Sequence, residues 1–141
     1  MLRVSKLTDY GTVMMTHMAR QPERVHTATE VAAAVHLAAP TVVKLLKVLA
    51  REGLLVSRRG AKGGYVLARR PEEISVAEVI IAIEGPIAFT ECSGSEGMCA
   101  QERTCTIRGN WQRINQAVQQ ALEKVTLADM LLPVAVHPIR M

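Results

Sequence analysis

In SKLTDYGTVMMTHMAR, Leu7, Tyr10, Val13 or Met14, and Met18 recur at steps of three and four. This spacing predicts a helix capped at Ser5 and finished before Pro22. In TATEVAAAVHL, Thr27 and Glu30 have the spacing of a capping box, in which each side chain satisfies a backbone N–H at the helix start. A short Ala-rich helix is expected there. A third helix is predicted in LAAPTVVKLLKVLAREGLL. Pro40 suits its first position, where a missing N–H costs nothing. Val42, Leu45, Leu46 and Leu49 make an apolar stripe, and Gly53 is a left-handed cap. Thr41, Lys44, Lys47 and Arg51 fall mainly on the opposite side. Two helices joined by a tight turn, the second basic on its outer face, predict a helix-turn-helix.

The pattern then changes. LLVSRRGAKGGYVLARRP has β-favouring residues at both ends around GAKGG, which predicts a hairpin with a basic tip, placed as a wing after the helix-turn-helix. Its glycines could cradle a nucleotide phosphate, but they join two strands and not a strand and a helix, so the phosphate-loop reading fails on context. Ser75 and Glu78 repeat the capping-box spacing at the head of SVAEVIIAIEG, with Gly85 at its end. Farther on, Ile107, Trp111, Ile114, Val118, Leu122 and Val125 follow at steps of 4, 3, 4, 4 and 3. This is a long helix with one narrow apolar seam, close to a heptad repeat. Such a seam calls for a partner helix, and a second copy of the chain supplies one. A last short helix is expected over 126–132, stopped by Pro133. The fold class expected is mainly α: a winged helix-turn-helix DNA-binding domain (1–85), a cysteine loop (86–106), a dimerisation helix with a short C-terminal helix (107–132) and a tail (133–141).

Composition sharpens this picture in two places. Residues 40–70 hold eight basic side chains against one acid, Glu52, whereas the whole chain of 141 residues carries a net charge of only +4. A basic block on an otherwise slightly acidic chain suits a polyanion such as double-stranded DNA; a solvated face is the bland alternative for Lys47 and Arg51. All three cysteines, Cys92, Cys99 and Cys105, fall within ECSGSEGMCAQERTC. No apolar run reaches the length of a membrane span and no leader pattern is apparent, so a cytoplasmic setting is expected. There disulfides are rare and a cysteine cluster points to metal or redox chemistry. Gaps of six and five residues lack the close pairs usual for zinc. They leave open an iron–sulfur cluster, a zinc ion and a metal-free thiol switch.

The order of these motifs, above all RGAKGGYVL followed by the three-cysteine loop, resembles the Rrf-type family of bacterial winged-helix regulators over about residues 2–131. The opening LRVSKLTDYGTVMM is most similar to the branch that regulates SUF-type iron–sulfur assembly genes. The resemblance implies a homodimeric, non-enzymatic transcription factor, expected to repress. Its recognition helix would enter the major groove with Thr41, Lys44 and Lys47, and its wing the minor groove with Arg58, Arg59 and Lys62. It further implies an iron–sulfur cluster, of two or four irons, on Cys92, Cys99 and Cys105. In some members a histidine shortly after the third cysteine completes the ligands; TIRGN lacks one here. In others an acid from the first helix of the other subunit does so, and Asp9 in LTDYG matches it. An acid in the first turn of a helix is also favoured there by the helix dipole alone. Two further functions stay open: an electron carrier, which would need no basic helix or wing, and a DNA-binding protein with a purely structural metal. A nitric-oxide or redox sensor of stress genes is the alternative regulatory role.

Overall fold

The computed structural model describes residues 3–89, 100, 104 and 106–135. Helix α1 (Lys6–Ala19) leads to α2 (Ala28–Val35) and α3 (Ala39–Arg51), then to strands β1 (Leu55–Arg58) and β2 (Gly64–Leu67). A single 3-10 turn (Pro71–Glu73) precedes α4 (Val76–Glu84); α5 (Arg108–Glu123) and α6 (Leu127–Met130) complete the described elements. This is a mainly helical winged helix-turn-helix.

Local chemistry explains most of the element ends. Ser5 Oγ accepts the N–H of Thr8. The Thr27–Glu30 and Ser75–Glu78 capping boxes are both closed, and a further box joins Thr126 and Asp129 at the start of α6. Pro40 occupies the second helical residue of α3, one place later than expected, behind an Ala38 cap that offers no side-chain bond. Helix α3 ends in a full Schellman motif: Leu54 N–H donates to Leu49 O (2.9 Å) and Gly53 N–H to Ala50 O (3.1 Å). Gly53 sits at φ 82°, where a side chain would be strained.

The axes of α2 and α3 turn through 117°, within the usual range of the motif. The turn needs a left-handed residue, and His36 supplies it at φ 57° without glycine. Strands β1 and β2 pair antiparallel from Leu55↔Leu67 to Arg58↔Gly64. A third partner comes from the linker before α2: His26 and Tyr65 exchange two backbone bonds, of 2.7 and 2.8 Å. The contact is so close that a Cβ on Gly64 would lie 2.3 Å from His26 O.

The core joins Met14, Met15 and Met18 of α1, Val31 of α2, the Val42–Leu45–Leu46–Leu49 stripe of α3, Leu54, Leu55, Leu67, Ile74 and Val79. Leu127 of α6 closes it from the C-terminal side. Burying each of the large side chains stabilises the fold by roughly 1.5–3 kcal/mol. The apolar stripe expected on α1 is displaced. Leu7 and Val13 are exposed, and the buried face runs through Thr8, Gly11, Met14, Met15 and Met18. Thr8 and Gly11 carry no hydropathy signal, yet Gly11 faces Ile83 of α4 at close range.

Candidate nucleic-acid interface and cysteine loop

Helix α3 buries Val42, Leu45, Leu46 and Leu49 to within 1% of full burial. The remaining positions of an amphipathic helix must then face out. Lys44, Lys47 and Arg51 do so, along a shallow groove that Pro40, Val43 and Val48 also line; Thr41 is half-buried. Arg58 ends β1, while Arg59 and Lys62 lie in the connecting loop, which the Gly63 N–H closes onto Gly60 O (2.9 Å). All three wing cations are exposed.

Ion pairing sorts the basic block into two groups. Arg69 pairs with Glu78 and donates to Glu73 O (2.7 Å). Arg70 pairs with Glu73 at 3.1 Å. That hydrogen bond holds the Glu73 carboxyl below, and the Arg70 guanidinium above, their ordinary pKa values. Arg51 lies 3.7 Å from Glu52. Lys44, Lys47, Arg58, Arg59 and Lys62 have no ion pair among the described residues. The wing and the outer face of α3 therefore keep their charge, while the base of the hairpin spends its own on the fold.

Cys92, Cys99 and Cys105 lie outside the described residues. The chain leading to them is anchored. Asn115, the buried residue of α5, donates through Nδ2 to Ile87 O (2.8 Å), and its Oδ1 accepts the N–H of Phe89 (3.2 Å). Nothing in the sequence singles out this asparagine, which stands beside the seam. At the end of α4, the Glu84 carboxylate accepts from Thr8 Oγ1 (2.7 Å) and from the Ser5 N–H (2.6 Å). The Thr8 bond, then those of Ser5, hold its pKa below the usual carboxylate range. The start of α1 is thereby fastened to the helix that leads toward the cysteine segment.

Asp9 is exposed in the first turn of α1 and has no ion pair among the described residues. It lines a groove of about 480 Å³ with Thr12, Thr16, His17, Arg20 and His36. That groove shares no residue with the cleft of about 580 Å³ in which Pro86–Phe89 lies against Glu84, Val118 and Leu122. His17 faces buried His26 edge-on, 6.0 Å between ring centres. Burial, then the nearby His26, Arg20 and Arg24, lower its pKa. Among the described residues no cluster of His, Cys, Asp and Glu could hold a metal ion, and no single helix is long and apolar enough to cross a membrane.

The seam of α5 is divided. Ile107 (47%), Ile114 (45%) and Val125 (37%) are exposed, whereas Trp111, Val118 and Leu122 are half-buried. Val118 and Leu122 line the cleft beside Ile80, Ile87 and Phe89, so part of the seam is used within the chain. Ile107 and Val125 flank the helix and are not part of it.

Residues 4–133 match the family model Rrf2, described as iron-dependent transcriptional regulator. The protein rrf2 of Nitratidesulfovibrio vulgaris is 29% identical over 138 residues, covering 97% of this chain and 92% of that one. The solved structure of CymR (YrzC), the global cysteine regulator of B. subtilis, superposes with a TM-score of 0.72 at 31% identity, covering 93% of this chain and 97% of that one. T. potens IscR gives a TM-score of 0.69 at 31% identity, with 92% and 86% covered. Motif order, the winged fold and a match along nearly the whole chain agree: the protein belongs to the Rrf2 family of transcriptional regulators.

Proposed function

We propose that this regulator binds promoter DNA as a homodimer, with Thr41, Lys44 and Lys47 of α3 in the major groove and Arg58, Arg59 and Lys62 of the wing in the minor groove. The observation that carries the reading is the coincidence of five cations, without an ion pair among the described residues, with the outward face of α3 and the wing. Lysine bonds phosphates and guanine edges, and arginine suits a narrow minor groove. Removing Lys62 lowers the salt slope of binding by about one per protomer, whereas changing Lys44 alters sequence preference.

In the same reading Cys92, Cys99 and Cys105, with Asp9 of the partner subunit, hold an iron–sulfur cluster, and the protein represses SUF-type iron–sulfur assembly genes according to the status of that cluster. The donor set suits one: three thiolates and an unpaired carboxylate, in a family described as iron-dependent. Asp9 opens onto a different groove from the one that seats Pro86–Phe89, which favours service to the other subunit. When bound, the group supplies a link whose loss changes affinity for DNA. A hundredfold change needs about 2.7 kcal/mol of coupling. A second reading, a metal-free thiol switch, draws on the likeness to Staphylococcus aureus CymR, whose structure is also known in an oxidized form.

Anaerobic purification with iron and sulfide analysis, followed by gel retardation of the promoter of its own operon, tests both. Iron and sulfide in the preparation and a shift in affinity on their removal are expected. A protein that never holds iron but changes affinity on thiol oxidation establishes the second reading instead.

A further inference from the structure

The outward face of α3 is not purely basic. Pro40, Val43, Lys44, Lys47, Val48 and Arg51 share one groove of about 600 Å³. Val43 is 37% exposed and stands beside Lys44, in the N-terminal half of the helix. It is not among the residues of the core or those packed against it. It does nothing for the helix either, because β-branched residues are poorer helix formers than the Lys or Ala that would otherwise fill an exposed position. Single exposed apolar residues are common, but this one lies beside Lys44 and Lys47, which have no acid partner among the described residues. A partner that meets Lys44 and Lys47 with negative charge must therefore also present an apolar group within the same few ångströms.

Duplex DNA does this at one place. The major groove displays the C5-methyl group of thymine beside the phosphates and purine acceptors that lysine bonds, and the N-terminal part of a recognition helix is what reaches base edges. We infer that Val43 is a specificity-determining residue that reads a thymine methyl in each half-site, alongside Lys44. This rests on the DNA-binding reading above and extends it from affinity to sequence. Val48, about a turn and a half farther along, is half-buried and lies in the C-terminal half of the helix.

The test begins with a duplex enriched by the wild-type protein from a randomised library. Each thymine is replaced in turn by uracil, which removes the methyl group and nothing else. One thymine per half-site is expected at which uracil weakens wild-type binding about fourfold, the worth of about 0.8 kcal/mol for one buried methyl at 1.4 kcal/mol per tenfold. Val43→Ala should be indifferent to uracil at that position, with unchanged affinity for random duplex. Alanine favours the helix at an exposed site, so this variant keeps the fold. If uracil weakens both proteins equally at every thymine, or neither, Val43 does not read the methyl group. If the wild type enriches no sequence at all, the DNA-binding reading itself falls, and this inference with it.

Discussion

Helices α3 and α5 are both amphipathic, yet they are completed differently. In α3 the four stripe residues are all buried against α2, α4 and β1, and what remains exposed is mostly charge, with Val43 among it. In α5 the buried residue is polar, Asn115, while Ile107 and Ile114 stay exposed near its start. The first helix is finished by its own chain; the second has an apolar edge that the described residues leave exposed. An amphipathic pattern therefore says that a face will be buried but not by what. Polar residues such as Asn115 show where the chain itself does the covering.

The sharpest way to break the comparison is to truncate one apolar side chain in each helix. Leu49→Ala should lower unfolding free energy by about 2–5 kcal/mol, from lost burial and the cavity left behind. Ile114→Ala should change it by under about 1 kcal/mol in dilute protomer, and Ile114→Asp should shift sedimentation toward the monomer. Equal losses of stability from Leu49→Ala and Ile114→Ala in urea melts would erase the distinction. Next in size is Asn115→Leu, which strands Ile87 O and Phe89 N–H and should cost about 1–3 kcal/mol. Hydrogen exchange at the Phe89 amide checks it: protection there should vanish while that of Leu46 persists.

The smallest expected effect concerns the α1 side of the DNA-binding region. His17 has a folded pKa below its unfolded value near 6.5, so the unfolded chain binds the proton more readily. Its contribution is neutral well above pH 6.5 and becomes unfavourable as pH falls below it. Stability measured between pH 7.5 and 5 should decline, and His17→Gln should flatten part of that slope. A steeper decline in the variant would show that His17 is not the group responsible.

What was legible beforehand was local. Capping boxes at Thr27 and Ser75, the Gly53 cap and the stripe of α3 are written in residues three or four apart, and each forms as the spacing requires. The displaced face of α1 was not, because hydropathy cannot mark Thr8 and Gly11, whose burial depends on Glu84 and Ile83 some seventy residues away. Spacing does not mark the Arg69–Glu78 pair, nine residues apart across the 3-10 turn, whereas Arg70 and Glu73 stand only three apart, a spacing that does signal a pair. The backbone exchange between His26 and Tyr65 leaves no side-chain signature at all. Clustering alone pointed the three cysteines to metal or redox chemistry, while the choice of an iron–sulfur cluster and the role of Asp9 came from resemblance.

The two hydrogen bonds of Asn115 have a consequence for ligand chemistry. They fasten Phe89 to α5 itself, whose first residue is Arg108, so the segment that contains Cys92, Cys99 and Cys105 has both ends tied to one rod. Part of the loop-closure entropy that any multidentate ligand would otherwise have to overcome is already met by the protein scaffold. In the proposed reading, the affinity of the thiols for an iron–sulfur cluster is then set in part by an amide that never touches it.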